Sequence, residues 1–319
     1  MSQENYIDVY INKIIEETSS IKRFVLKAVD GGFLPRFSPG SHIILNLATN
    51  QGVIDRRYSL VNDPAQRDAY EIAVKLTSDS KGGSSYLHHQ AAEGDRLQIS
   101  LPKNYFTISS SGTHHVFYAA GIGITPFLSM MHTLKREGHS FELHYAARSI
   151  KECAFYPYLI THFADHVSFY FSNQQHRLTT RSLHDHLIGT HVYFCGPPAF
   201  ISIFIKQATE IGFPATHIHY EHFTPPISSE QGEAFTIILN NGEHIKVKED
   251  ISVLDTLLAA GYYVPSSCKI GRCGTCEIKV KAGSVLHLDD FLSEEERREN
   301  ETMITCVSRC SDNLLELDI

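Results

Sequence analysis

Cys268-Lys269-Ile270-Gly271-Arg272-Cys273-Gly274-Thr275-Cys276 sets three thiols inside nine residues at C-x4-C-x2-C spacing, and a fourth, Cys306, follows 30 residues later. Each iron of a [2Fe–2S] cluster takes two thiolates beside the bridging sulfides, so four cysteines complete the set, and this spacing is one such clusters use. Gly271 and Gly274 punctuate the loop. Glycine accepts positive φ and leaves no side chain in the way, so the backbone can wrap a cluster and turn N–H groups toward sulfur. A structural zinc site also takes four cysteines, but usually through pairs of short C-x2-C knuckles. Here one tight triplet faces one distant partner. The expected metal ligands are Cys268, Cys273, Cys276 and Cys306. Cys310, four residues further on, reads as a small buried apolar residue.

The flanks agree. Phe235 to Leu239, Asn240-Asn241-Gly242 and His244 to Val247 read as a hairpin with an Asn-Gly turn. Ser252 is placed to cap a helix over Val253 to Ala260, with Asp255 in its first turn and Gly261 at its end. With the loop Pro265-x-x-Cys268-x-x-Gly271-x-Cys273-Gly274-x-Cys276, this segment resembles the β-grasp domain of plant-type ferredoxins. The resemblance covers 234–319.

A chain of 319 residues predicts two or three domains, and 42% apolar content predicts ordinary globular cores. No run of 18 apolar residues occurs, so no membrane span is expected. Met1 to Tyr10 is polar and acidic, without a secretory pattern, and seven cysteines do not make a disulfide framework. A cytoplasmic protein is expected. The net charge is −8, and residues 234–319 hold 15 acids against 9 bases. That balance argues against a nucleic-acid partner. It suits steering toward a basic protein partner, although a generic solvated surface reads the same way. Ser293…Glu296 is a capping-box pattern, so the run Glu294 to Glu299 reads as an exposed helix. The 19 histidines, including the pairs His88-His89 and His114-His115, show no H-x3-H or H-E-x-x-H spacing, and read as surface or core residues, not as metal ligands.

In the middle of the chain, His114 to Ala120 reads as a strand. Gly121-Ile122-Gly123-Ile124-Thr125-Pro126 follows, then an apolar segment from Phe127 to Leu134. Glycines at a strand-to-helix turn let backbone approach a pyrophosphate at the helix N-terminus. Thr125 is expected to cap that helix and Pro126 to take its first position. Phe141 to Ser149 reads as the next strand, running into Arg148-Ser149. His191 to Cys195 reads as another, running into Gly196-Pro197. Alternating strands and helices predict a parallel sheet with these turns gathered at one edge.

The first hundred residues alternate apolar positions with turns, as an antiparallel barrel does. Gly40 to Leu47 and Tyr70 to Leu76 are strand candidates, with Arg56-Arg57-Tyr58-Ser59-Leu60 between them. Gly82-Gly83-Ser84-Ser85 precedes a helix-like stretch, Tyr86 to Ala91, and offers backbone N–H groups to an anion.

Together these motifs resemble the ferredoxin–NADP reductase superfamily. Arg56 to Leu60 matches its R-x-Y-S-L flavin motif, with Arg57 at the variable position. The resemblance implies Arg56, Arg57, Tyr58, Ser59, Ala73, Val74, Lys75, Gly82, Gly83 and Ser84 around a flavin, with Phe223 covering the ring. It implies Gly121, Gly123, Thr125 and Pro126 against a pyrophosphate, Arg148 and Ser149 near the adenosine ribose, and Cys195, Gly196 and Pro197 near a nicotinamide. Hydride transfer is expected near Ser59, Cys195 and Phe223, with no side chain acting as acid or base.

The module order is that of the phthalate dioxygenase reductase family: a barrel over 1–108, an α/β domain over 109–224, a linker at 225–233 and a ferredoxin domain over 234–319. The resemblance implies FMN in preference to FAD, a [2Fe–2S] cluster, and NADH or NADPH as donor. It further implies a monomer that meets a Rieske-type terminal oxygenase transiently. Within the family, the stretches Arg148 to Phe155 and Gly82 to His89 resemble the reductases of carnitine monooxygenases and, next, of vanillate O-demethylases. An electron-carrier module without NAD(P)H oxidation and an FAD reductase of a non-Rieske oxygenase are the alternatives.

Overall fold

The computed structural model describes residues 6–49, 52–78, 80, 82–187, 189–224 and 233–319. It forms two compact units, Met1–Glu221 and His222–Ile319. The expected linker, 225–233, lies outside the described residues except for Glu233.

The first unit begins with six antiparallel strands. Their spatial order is Gly52–Ser59, His42–Thr49, Arg96–Ser100, Tyr6–Thr18, Ile21–Ala28, Tyr70–Lys75. A bridge between Leu60 and Ile72 joins the two edge strands and closes the barrel. Alternate residues, among them Val9, Ile11, Phe24, Leu26, Ile43, Leu45, Ile72 and Val74, fill its interior. The strand expected from Gly40 starts instead at His42. Gly40 has φ 86°, and a Cβ there would lie 2.1 Å from the Phe106 carbonyl oxygen, so the chain must turn before it can pair.

Five parallel strands follow, in the order Ile218–Glu221, Thr190–Cys195, His114–Ala120, Ser140–Ala147, Val167–Phe171. Val116 to Ala119 and Val192 to Cys195 are fully buried, as strands covered on both faces must be. The helix Thr125–Glu137 packs Phe127, Met130, Met131 and Leu134 with Phe117, Leu143 and Tyr145. The helix Pro198–Glu210 packs Ile201, Phe204 and Ala208 with Val116, Tyr118 and Phe194. The chain winds outward from His114–Ala120 on one side and then returns to the other. The sheet's switch point therefore lies between that strand and Thr190–Cys195.

Two local expectations are corrected. Thr125 does not cap its helix. The glycine turn continues as a tight turn over Gly121–Ile124, so the backbone is already helical at Thr125, and its hydroxyl donates back to the Ile122 carbonyl at 3.0 Å. The short helix expected from Tyr86 runs over Gly83–His89, so Gly83, Ser84 and Ser85 form its first turn.

Barrel and parallel sheet share one core. Ile21, Val61, Ala73 and Phe106 cluster with Ile124, Phe127, Met130 and Cys195. Polar contacts cross the same joint. The Gly40 N–H donates to Ser129 Oγ at 3.0 Å. Glu17 accepts from Arg23 Nε at 2.7 Å and from the Phe155 N–H at 3.1 Å.

The second unit is a five-stranded sheet ordered His244–Val247, Phe235–Ile238, Leu314–Leu317, Glu277–Ala282, Thr302–Ile304. Phe235–Ile238 and Leu314–Leu317 run parallel; the other pairings are antiparallel. The hairpin forms as expected, with Gly242 at φ 79°. The helix Val253–Ala259 begins at Ser252, whose hydroxyl accepts from the Asp255 N–H at 2.9 Å, and Gly261 follows at φ 88°. Both bonds of the capping box at Ser293 and Glu296 are present. Cys310 is buried in the core of this sheet, as its reading required. Among the described residues, no helix is long and apolar enough to cross a membrane.

Substituting Gly40→Ala would force a Cβ onto backbone at a positive φ. The expected loss is about 2–4 kcal/mol of stability in the first unit, read as a lowered denaturation midpoint. Gly31→Ala, where nothing lies within 4 Å of the added carbon, is expected to cost about 1 kcal/mol, from positive φ alone.

Candidate functional site

The strand Gly52–Ser59 pairs with His42–Thr49 so that Leu45 faces Arg56, Ile44 faces Arg57, Ile43 faces Tyr58 and His42 faces Ser59. Side chains alternate along a strand, so Arg56 and Tyr58 point to one side, and Arg57 and Ser59 to the other. Arg56 lies against the first turn of the helix Gly83–His89. A Cβ on Gly83 would fall 2.5 Å from Arg56 Cγ and 2.8 Å from its Nε. Only a residue without a side chain lets the guanidinium stem and this turn share that space. Gly82, at φ 92°, starts the helix. The Ser84 hydroxyl donates to Ser80 Oγ at 2.9 Å. Burial pushes the Tyr58 phenol well above its ordinary range, so it is neutral at any physiological pH.

The helix is tied to the next strand by His88, whose Nε2–H donates to the Val74 carbonyl at 2.9 Å. Lys22 Nζ in turn donates to the His88 carbonyl at 3.0 Å. Ala73 and Val74 are buried and Lys75 is exposed. Because Ala73 shares a core with Ile124 and Cys195, this strand also abuts the glycine turn. Sequence reading missed His88. Its only signal was a paired histidine on a short helix.

At the carboxyl edge of the parallel sheet, the glycine turn meets the Cys195–Gly196 peptide directly. A Cβ on Gly123 would lie 2.1 Å from the Cys195 carbonyl oxygen and 2.7 Å from the Gly196 nitrogen. One on Gly196 would lie 2.9 Å from Ala120 Cβ. Gly121, at φ 57°, meets nothing within 4 Å, and its carbonyl accepts from Tyr145 Oη at 3.0 Å. Cys195 is fully buried, whereas Pro197 is exposed at the start of Pro198–Glu210. Arg148 and Ser149 leave the end of the neighbouring strand, Arg148 exposed. The three predicted turns thus collect at one edge. Pro126 is buried beside Thr125 in the first turn of its helix. Phe223 lies in the second unit and is 42% exposed.

The cysteine loop takes positive φ at Lys269, Gly271 and Gly274. The Cys268 N–H donates to Cys273 Sγ at 3.4 Å, the Arg272 N–H to Cys268 Sγ at 3.3 Å, and the Thr275 hydroxyl to Cys273 Sγ at 3.1 Å. The four sulfurs fall into two interacting pairs, Cys268 with Cys273 and Cys276 with Cys306. The hydrogen bond from the Cys268 thiol lowers Cys273 and raises Cys268 in return. The same interaction between Cys306 and Cys276 lowers Cys276 and raises Cys306. Two sulfur pairs within a cradle of donors fit what a two-iron cluster requires, one pair to each iron. Cβ atoms at Gly271 and Gly274 would collide with Val307 at 2.7 Å and the Phe291 ring at 2.3 Å, so the wrapped loop admits only glycine at both positions.

A barrel with an arginine set against a glycine turn, a parallel sheet with glycines at its switch point, and a cysteine-lined β-grasp sheet together define a flavin-dependent NAD(P)H oxidoreductase with a [2Fe–2S] domain. Residues 8–108 match the oxidoreductase FAD-binding domain, and residues 237–311 match the 2Fe-2S iron-sulfur cluster binding domain. The chain is 38% identical to the carnitine monooxygenase reductase subunit of Escherichia coli (strain K12), covering all of both chains. It is also 38% identical to the vanillate O-demethylase oxidoreductase of Acinetobacter baylyi, covering 98% of this chain and 99% of that one. The solved structure of phthalate dioxygenase reductase superposes with a TM-score of 0.78 at 30% identity, over 99% of each chain. The chain belongs to the phthalate dioxygenase reductase family, and is a reductase component of oxygenase systems.

Gly123→Ala is expected to cut NAD(P)H oxidation by roughly 100-fold, since the new methyl must push the turn away from the Cys195–Gly196 peptide. The visible spectrum of the cluster should be unchanged. Steady-state turnover with ferricyanide and absorbance of the purified variant would check both.

Proposed function

We propose that this chain is the reductase of a Rieske-type terminal oxygenase, with carnitine monooxygenase as the first candidate and FMN as its flavin. When bound, NAD(P)H supplies a hydride, the flavin takes two electrons and releases them singly, and the cluster carries them one at a time. The protein's residues hold and orient these groups. Arg56, with the backbone of Gly82, Gly83 and Ser84, holds the flavin phosphate, a fork of donors beside a turn rich in N–H groups. Arg57 points away from that turn, so the phosphate role goes to its neighbour. Tyr58 packs on the flavin, Ser59 donates to the ring, and Ala73, Val74 and Lys75 flank it.

Gly121, Gly123 and Pro126 admit a pyrophosphate to the turn. Thr125 contributes backbone alone, because its hydroxyl serves Ile122. Arg148 and Ser149 meet the adenosine ribose, and Cys195, Gly196 and Pro197 border the nicotinamide. The cysteines of the two sulfur pairs hold the iron. Residues 1–108, 109–224 and 234–319 are the three functional modules, 225–233 links the last two, and the chain works as a cytoplasmic monomer.

The observation that carries this reading is the shared core of the first unit. Ala73, from the barrel strand beside the Arg56–Gly83 contact, packs with Ile124 of the glycine turn and with Cys195. A flavin in the barrel and a nucleotide on the sheet would then meet without an intervening layer. The choice of carnitine rests on the likeness to the Escherichia coli subunit. The equal identity to a vanillate O-demethylase oxidoreductase supports that partner as the second reading. NADH and NADPH both suit Arg148.

Three outcomes are expected. The flavin released on denaturation should be FMN by chromatography; FAD would remove that part. The protein should reduce the terminal oxygenase of carnitine monooxygenase with carnitine turnover, and faster than that of vanillate O-demethylase. The reverse order would replace the first candidate by the second. Cys306→Ser should lose the cluster absorbance, whereas Cys310→Ser should keep it at a cost of about 1 kcal/mol in stability.

A further inference from the structure

The parallel sheet carries a second constellation, at the edge opposite the glycine turn. His114 opens the strand that Ala120 closes, so the cluster begins about 23 Å from Gly121, at roughly 3.3 Å per residue. The pairing register sets His114 beside Ser140, Val116 beside Glu142, and Tyr118 beside His144. Glu142 and His144 therefore share a face with His114, and His186 joins them from the segment that follows Thr180–Asp185. Glu142 Oε1 is the centre. His186 Nδ1 lies 3.4 Å from it, His144 Nε2 3.5 Å and His114 Nε2 3.7 Å.

The far nitrogen of each ring is held by a hydroxyl. His114 Nδ1 lies 2.7 Å from Ser140 Oγ, His186 Nε2 2.8 Å from Tyr118 Oη, and His144 Nδ1 2.8 Å from Tyr170 Oη. Each ring is thus oriented through one nitrogen while the other is aimed inward, which is how metal-binding imidazoles are held. His144 is buried, and its Nε2 faces Glu142 Oε1 from the interior of the sheet. The donor atoms of His114, Glu142 and His186 all lie within 4.8 Å of one another. They open on a cavity of about 460 Å³ that Asp185 also lines.

We propose that His114, Glu142 and His186 form a binding site for a divalent transition-metal ion of the zinc class, with His144 steadying Glu142 from the buried side. A tetrahedral ion with bonds of about 2.0–2.2 Å holds its donors about 3.3–3.6 Å apart. The separations of Glu142 Oε1 from His186 Nδ1 and His114 Nε2, 3.4 and 3.7 Å, lie close to that edge length. Two imidazoles and a carboxylate are donors that zinc accepts readily. The fourth position faces the cavity, where water or Asp185 completes the set. The ion would tie the 180–187 segment to the amino edge of the sheet. Sequence spacing gives no hint of such a site, because the three ligands come from three separate segments.

Equilibrium dialysis of the flavin- and cluster-loaded protein against low-micromolar Zn²⁺, with zinc-edge X-ray absorption, tests this. The expected result is one zinc per chain, surrounded by nitrogen and oxygen at about 2.0–2.2 Å. His186→Ala and Glu142→Gln should each weaken uptake at least about 10-fold, and Tyr118→Phe by about 10-fold through the freed ring. His139→Ala should bind as the parent does. Flavin and cluster absorbance report that each variant is folded, and His114→Ala serves if His186→Ala is not. No uptake, uptake unchanged in both ligand variants, or sulfur in the zinc shell would each overturn the proposal.

Discussion

The first unit depends on a place where two backbones touch. Gly123 sits so close to the Cys195–Gly196 peptide that even a methyl group has no room. This contact closes the switch point of the parallel sheet and leaves peptide groups, rather than side chains, facing the edge where its turns converge. It also sets the height of the turn against the barrel, because Ile124, one residue on, packs with Ala73 and Val61. Barrel and sheet thus share one core. Glu17 reinforces the joint by accepting from both Arg23 and the Phe155 N–H.

The second unit rests on the same physical means used for another purpose. Its loop runs through Lys269, Gly271 and Gly274 at positive φ, and the two glycines are pressed against Val307 and Phe291. The curled backbone directs N–H groups at sulfur, and the thiols gather as two interacting pairs. The loop thus turns its donors toward the positions where the sulfurs would hold a cluster.

Some motifs carried a different meaning in three dimensions. The stretch from Arg148 to Phe155 suggested a particular oxygenase, yet Cys153, Ala154 and Phe155 are buried in the shared core and Phe155 bonds to the barrel. Thr125 looked like a cap, but the preceding glycines continue as a tight turn and leave no frayed end to cap. Arg56 and Arg57 are neighbours in sequence, Arg56 at the motif's first position and Arg57 at its variable one. Strand alternation places them on opposite sides, and only Arg56 reaches the glycine turn.

The sequence by itself determined the chemistry: the cysteine spacing, the glycine turns, the flavin motif and the order of modules are local patterns, each written within a few consecutive residues. Strand and helix positions were similarly readable, because period and capping are local too. Tertiary structure alone decided which of those residues meet. Gly123 finds Cys195 across 72 positions, Arg56 finds Gly83 across 27, and His114, Glu142 and His186 converge from three segments. Such contacts depend on sheet order and register, which no stretch of neighbouring residues encodes.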